Sequence, residues 1–151
     1  MRKFISSILA TGLVFGFGMC AAPAADQSTQ DELQTRASKL NATAKGERLK
    51  TAIHAISVET GVPESQLRQM HQKYSTTGPA GILIASVIAD ETKQPPEKFI
   101  QSHENGKGWG AIARSNHVPV EKINDRLDHV ERAVQNGNVE RGRSSEKIKK
   151  R

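Results

Sequence analysis

From Glu47 to Asn136 apolar residues recur three and four positions apart, the spacing that lines one face of an α-helix. Leu49, Ala52, Ile53 and Ile56 make a first such face, and Gly61 followed by Pro63 stops it. Pro63 falls in the first turn of a second helix carrying Leu67, Met70 and Tyr74, where a missing N–H costs nothing. Residues 80–89, AGILIASVIA, are almost wholly apolar, so a helix here must be covered by neighbours all round. Their Ile and Val content would also suit a strand, but no other segment offers a partner pattern, and a third helix is expected. Pro95-Pro96 opens a fourth helix with Phe99 and Ile100, Trp109 a fifth with Ile112 and Ala113, and Pro119 a sixth. That last segment shows Val120, Ile123, Leu127, Val130 and Val134 in unbroken three-four alternation. The pattern predicts an all-α bundle of five to six short helices over residues 47–136, long enough for one core.

Upstream, residues 26–45 are rich in Gln, Ser, Thr and Ala and sparing in large apolar groups. Thr29 with Glu32 matches a capping box, and Leu33, Ala37, Leu40 and Ala44 keep helical spacing. Residues 25–46 are therefore expected to be a polar, flexible linker or a marginal helix, with the folded core beginning near Glu47.

The helical region contains an internal echo. Glu59-Thr60 and Pro63 recur 32 residues later as Glu91-Thr92 and Pro95, with Leu67 matched by Phe99 and His71 by His103. After a two-residue contraction, Gly78-x-x-Gly81-Ile82 corresponds to Gly108-x-x-Ala111-Ile112. Two helix-loop-helix units, each burying its face against the other, are the expected architecture.

These segments, TGPAGILIA (residues 77–85) and NGKGWGAIAR (residues 105–114), resemble a group of exported, uncharacterised bacterial proteins built from paired helical units. In that group the second unit carries a Gly-Lys-Gly-Trp-Gly-x-Ile-Ala element. The likeness spans roughly residues 58–127, and the first unit departs from the pattern at Pro79 and Ala80, where an aromatic and a glycine are common. The resemblance implies a helical fold and export, and brings no catalytic residue with it.

The first 24 residues have the three-part layout of a secretory signal: Met1-Arg2-Lys3, an uncharged apolar run from Phe4 to Met19, and Ala22-Pro23-Ala24 as a cleavage site. Ser6, Ser7, Thr11 and three glycines interrupt that run, which makes it weaker than the roughly 20 apolar residues of a membrane span. Cleavage after Ala24 would remove Cys20, the only cysteine, leaving a periplasmic or secreted chain with no disulfide, thiol nucleophile or Cys metal ligand. Met19 stands where a lipoprotein signal wants a small residue, which disfavours a lipid on Cys20.

Charge changes the picture only at the C-terminus. The chain carries a net charge of +6, two units of it in the leader. The remaining excess lies in residues 137–151, where Arg141, Arg143, Lys147, Lys149, Lys150 and Arg151 face only Glu140 and Glu146. The body is neutral, and the tail is too poor in apolar residues to fold alone, so it is expected to be disordered. It could touch anionic lipid, wall polymer or nucleic acid electrostatically.

Candidate chemistry is sparse. In the GKGWG element Gly106, Gly108 and Gly110 would allow a tight turn with positive φ, Trp109 would anchor the core, and Lys107 would stand beside a helix start able to hold an anion. The spacing fits neither a P-loop nor a dinucleotide fingerprint. Residues 109–127 echo a helix-turn-helix through Ile112-Ala113, His117-Val118-Pro119, Ile123 and Leu127. Its outward residues mix Glu121, Asp125 and Asp128 with Lys122 and Arg126, which repels phosphate as much as it attracts it. His54, His71, His103, His117 and His129 form no zinc-binding pair, and no nucleophile motif is present. The expected function is a non-catalytic interaction or structural module of the bacterial envelope, with no cofactor or metal and a protein or envelope-polymer partner. Polyanion binding through residues 109–127 and the basic tail is the alternative.

Overall fold

The computed structural model describes residues 25–137, with side chains from Glu32 onward, as seven helices and no strand among the described residues. They are α1 (Ala25–Thr43), α2 (Glu47–Thr60), α3 (Glu64–Lys73), α4 (Gly78–Thr92), α5 (Pro96–Glu104), α6 (Trp109–Ser115) and α7 (Val120–Asn136). The leader (1–24) and the basic tail from Asn138 lie outside the described residues.

The all-α expectation holds, with α4 as its axis. Every residue of α4 from Gly78 to Ala89 is buried, and α1, α2, α3, α5 and α7 all pack on it. A helix apolar on every face is stable only in such a sheath. The remaining helices are amphipathic and turn single apolar faces inward, among them Ile53 and Ile56 of α2, Leu67 and Met70 of α3, Phe99 and Ile100 of α5, and Ile123, Leu127 and Val130 of α7.

One joint is used three times. Gly61, Lys93 and His117 each adopt a left-handed backbone, with φ of 73°, 55° and 57°. Two residues on, Pro63, Pro95 and Pro119 are extended, with ψ of 138°, 135° and 131°, and cap the next helix. The left-handed residue ends one helix; the proline keeps its predecessor out of α geometry and starts the next. Pro63 and Pro119 thus sit one position outside the helices that the sequence pattern places them in. Thr60 and Thr92, matched in the repeat, donate their hydroxyls to Ile56 and Ile88 carbonyls at 2.7 Å in both cases.

The paired units are α3 with α4 and α5 with α6, and α7 ties them together. Glu59 and Glu91, also matched in the repeat, both pair with α7: Glu59 with Arg126 and His129, Glu91 with Lys122.

The N-terminal boundary needs correction. α1 is a helix rather than a linker, and it begins at Ala25, upstream of the Thr29–Glu32 capping box. Leu33, Ala37, Leu40 and Ala44 are all buried, so the core reaches back at least to Leu33 rather than beginning near Glu47. Two alanines bring α1 close to its neighbours, and its charges meet opposite ones on α7: Arg36 with Asp128 at 2.8 Å, and Lys39 with Glu131. The sequence pattern undervalues α1 because those partners lie about 90 residues away.

Candidate functional site

Beside its apolar stripe α1 carries a second stripe, displaced by one position: Gln34, Ser38, Asn41 and, just past the helix end, Lys45. The first stripe enters the core and the second faces an open cleft of about 390 Å³. Opposite stand Thr76 and Thr77 from the α3–α4 loop, and His103 and Trp109, which flank the α5–α6 loop. The equivalent loops of the two units thus converge on one side of α1.

Asn41 fixes this geometry. Its Oδ1 accepts the Ala80 N–H at 2.8 Å while its Nδ2 donates to the Thr77 carbonyl at 3.2 Å. Thr77 gives α4 no side-chain cap of its own, so α1 supplies one from outside. The close approach requires glycine. A Cβ on Gly78, whose φ is 68°, would lie 2.6 Å from Asn41 Cγ, and one on Gly81 would lie 2.3 Å from Thr77 Cγ2 and 3.0 Å from Trp109 Cζ2.

Trp109 is 2% exposed and forms the floor of the cleft. The His103 ring stacks on it at 4.2 Å between centroids and 23° between planes. His103 Nδ1 lies 2.9 Å from the Lys107 carbonyl, and because a carbonyl only accepts, Nδ1 carries the hydrogen. At the rim Thr76 donates its hydroxyl to Glu104 at 3.4 Å. The Thr77 hydroxyl is buried with no partner among the described residues.

Of the residues singled out in the sequence, Trp109 and Gly110 are buried where a packing anchor belongs. The glycine reading needs correction, because only Gly106 has a positive φ, 91°, whereas Gly108 caps α6 in an extended conformation with φ −66°. Lys107 enters the site through its carbonyl, and its ammonium does not line the cleft. Arg141, Arg143, Lys147, Lys149, Lys150 and Arg151 lie outside the described residues.

In the helix-turn-helix-like segment α6 has only seven residues, and α7 is flanked on both sides. Asn124 and Asp128 bond to α1, while Arg126 and Lys122 pair with Glu59 and Glu91. His54 and Arg68 hold the Glu64 carboxyl below its ordinary range, chiefly through the His54 hydrogen bond at 2.7 Å. Among the described residues no three His, Cys, Asp or Glu could hold a metal ion together.

Sequence reasoning missed Gln34, Ser38, Asn41, Lys45, Thr76 and Thr77. A signal existed in the 34-38-41-45 polar spacing, but a polar stripe is also what a solvated helix face looks like. Together fold and cleft define a small all-α bundle with a polar groove along its first helix. Comparison with known proteins returns no matching family model, no matching curated protein and no matching solved structure.

Proposed function

We propose that this protein is a non-catalytic helical binding module exported to the bacterial envelope, and that the cleft along α1 is its recognition site. The convergence of both repeat loops on the polar stripe of α1 carries this reading. Ionic pairs elsewhere tie helix to helix, as α1 to α7 and both repeat glutamates to α7, which is a packing role. The signal-like leader supports export, and N-terminal sequencing of the recovered protein should begin at Ala25. The site itself is tested by filling it. Ser38→Phe should leave the helical circular-dichroism spectrum intact, and should abolish the amide shifts at residues 34–45, 76–77 and 103–109 that envelope extract induces in ¹⁵N spectra of the wild type. Shifts that persist with the cleft filled would place recognition elsewhere.

The six basic residues of the tail support a second reading, polyanion binding. It requires retention on heparin that falls steeply with salt and disappears on truncation after Asn136.

A further inference from the structure

We infer that the cleft takes a small hydroxylated anion with the size and chemistry of a sugar acid or sugar phosphate. The inference rests on the cleft being the recognition site, and it adds the class of ligand. A volume of about 390 Å³ stands at the small end of small-molecule sites. It suits one ring with its substituents.

Charge sets the first requirement. Lys45 is the one Lys, Arg, Asp or Glu among the lining residues, and it is exposed. An exposed lysine at the mouth of the cleft, with the one rim carboxylate, Glu104, engaged by the Thr76 hydroxyl, favours a ligand with a negative group.

Hydrogen bonding sets the second. Ser38 donates its hydroxyl to the Gln34 carbonyl at 2.8 Å, so its oxygen retains only accepting capacity. His103 has committed Nδ1–H to the Lys107 carbonyl, which leaves Nε2 an acceptor in the neutral ring. Thr77 lines the cleft as a residue, but its hydroxyl is buried and without a partner among the described residues, so the acceptors on offer are those of Ser38 and His103. A bare inorganic anion would satisfy Lys45 and turn lone pairs toward the acceptors. A neutral sugar would meet the acceptors and leave Lys45 unused. A ligand bearing both an oxyanion and hydroxyls satisfies both sets.

Trp109 is the only tryptophan in the chain, so its fluorescence reports on the floor of this cleft. The full chain is titrated with glucuronate and with glucose 6-phosphate, then with glucose, acetate and inorganic phosphate as controls. A saturable change is expected for at least one anionic sugar, with every control at least about tenfold weaker. Comparison of the two anionic sugars tells carboxylate from phosphate. Lys45→Met should weaken the preferred sugar about tenfold with an unchanged thermal midpoint. No saturable response to either anionic sugar up to about 10 mM, equal binding of glucose, or indifference to Lys45→Met would overturn the ligand assignment. In that event, envelope-extract shifts that Ser38→Phe still abolishes would leave the cleft as the recognition site. Their absence would remove both readings together.

Discussion

The two repeat units start from the same local design and end in different environments. Each follows a Glu-Thr pair and a left-handed joint with a short helix, a loop and a second helix. In the first unit that second helix is α4, enclosed on every face; in the second it is α6, a seven-residue helix with Ala111 and Arg114 partly open. Matched positions diverge accordingly. His71 keeps a buried Nδ1 without a partner among the described residues, whereas His103 stacks on Trp109 and bonds to Lys107. Glu59 is 6% exposed beneath Arg126 and His129, whereas Glu91 is 33% exposed beside Lys122. Sequence correspondence therefore fixes the backbone device, and burial decides what each side chain is worth.

The largest effect should come where the units meet. Trp109→Ala removes the floor of the cleft and the anchor of α6, and should cost about 3–5 kcal/mol by chemical denaturation. Gly81→Ala probes the same contact from the other unit, since its Cβ would clash with both Thr77 and Trp109. The matched residue in the second unit is already alanine. Gly81→Ala should cost at least about 1–3 kcal/mol, as overpacking does, whereas Ala111→Gly should cost no more than about 1 kcal/mol, the loss of helix propensity. Equal costs at the two positions would erase the distinction between an enclosed and an open second helix.

Next comes the glutamate pair. Glu59→Gln keeps the shape but removes a buried charge that accepts bonds from two side chains, and should cost about 1.5–3 kcal/mol. Glu91→Gln loosens a half-exposed pair and should cost about 0–1 kcal/mol. Urea midpoints of the two single variants are sufficient to rank them.

What was legible in the sequence follows the same division. Helices α2 to α7 could be read because their apolar faces and their Gly and Pro stops are local signals, and the enclosed α4 because a run without polar residues has few other homes. α1 was not legible as core: Leu33, Ala37, Leu40 and Ala44 make a thin stripe, and what holds it is supplied by Asp128, Glu131 and the open end of α4. The cleft was hidden for the same reason. Trp109 could be read as an anchor, but Asn41 became a helix cap only through a partner 39 residues away.

The three joints give a smaller and more discriminating test. Gly61 occupies its left-handed position without strain, while Lys93 and His117 hold a Cβ there, at a cost of roughly 1–2 kcal/mol less what glycine gains in the unfolded chain. Gly61→Ala should therefore lower stability by about 1 kcal/mol, and Lys93→Gly and His117→Gly should raise it by no more than that. Differential scanning calorimetry should show midpoints moving in opposite directions. A fall in all three variants would mean that Lys93 and His117 contribute more through their side chains than their backbones cost.

The smallest effect concerns pH. Glu64 lies below its ordinary value of 4.5, first because His54 bonds to its carboxyl and then because Arg68 does, and Asp90 lies below 3.8 through Lys93. A carboxyl whose pKa is lower folded than unfolded binds protons more readily in the unfolded chain. Its contribution is therefore complete above the unfolded value and is lost as pH falls through the folded one. Both side chains face water, at 37% and 65% exposure, so screening keeps each contribution at about 0.5 kcal/mol or less. Stability measured from pH 6 down to pH 3 should decline less in Glu64→Gln than in the wild type, and 1 M salt should narrow the gap. His54→Asn should flatten the decline more than Arg68→Gln, because the histidine bond is the larger cause of the depression. The reverse order would show that Arg68, the partner on the same helix, sets the charge of Glu64, and that the contact between α2 and α3 contributes packing alone.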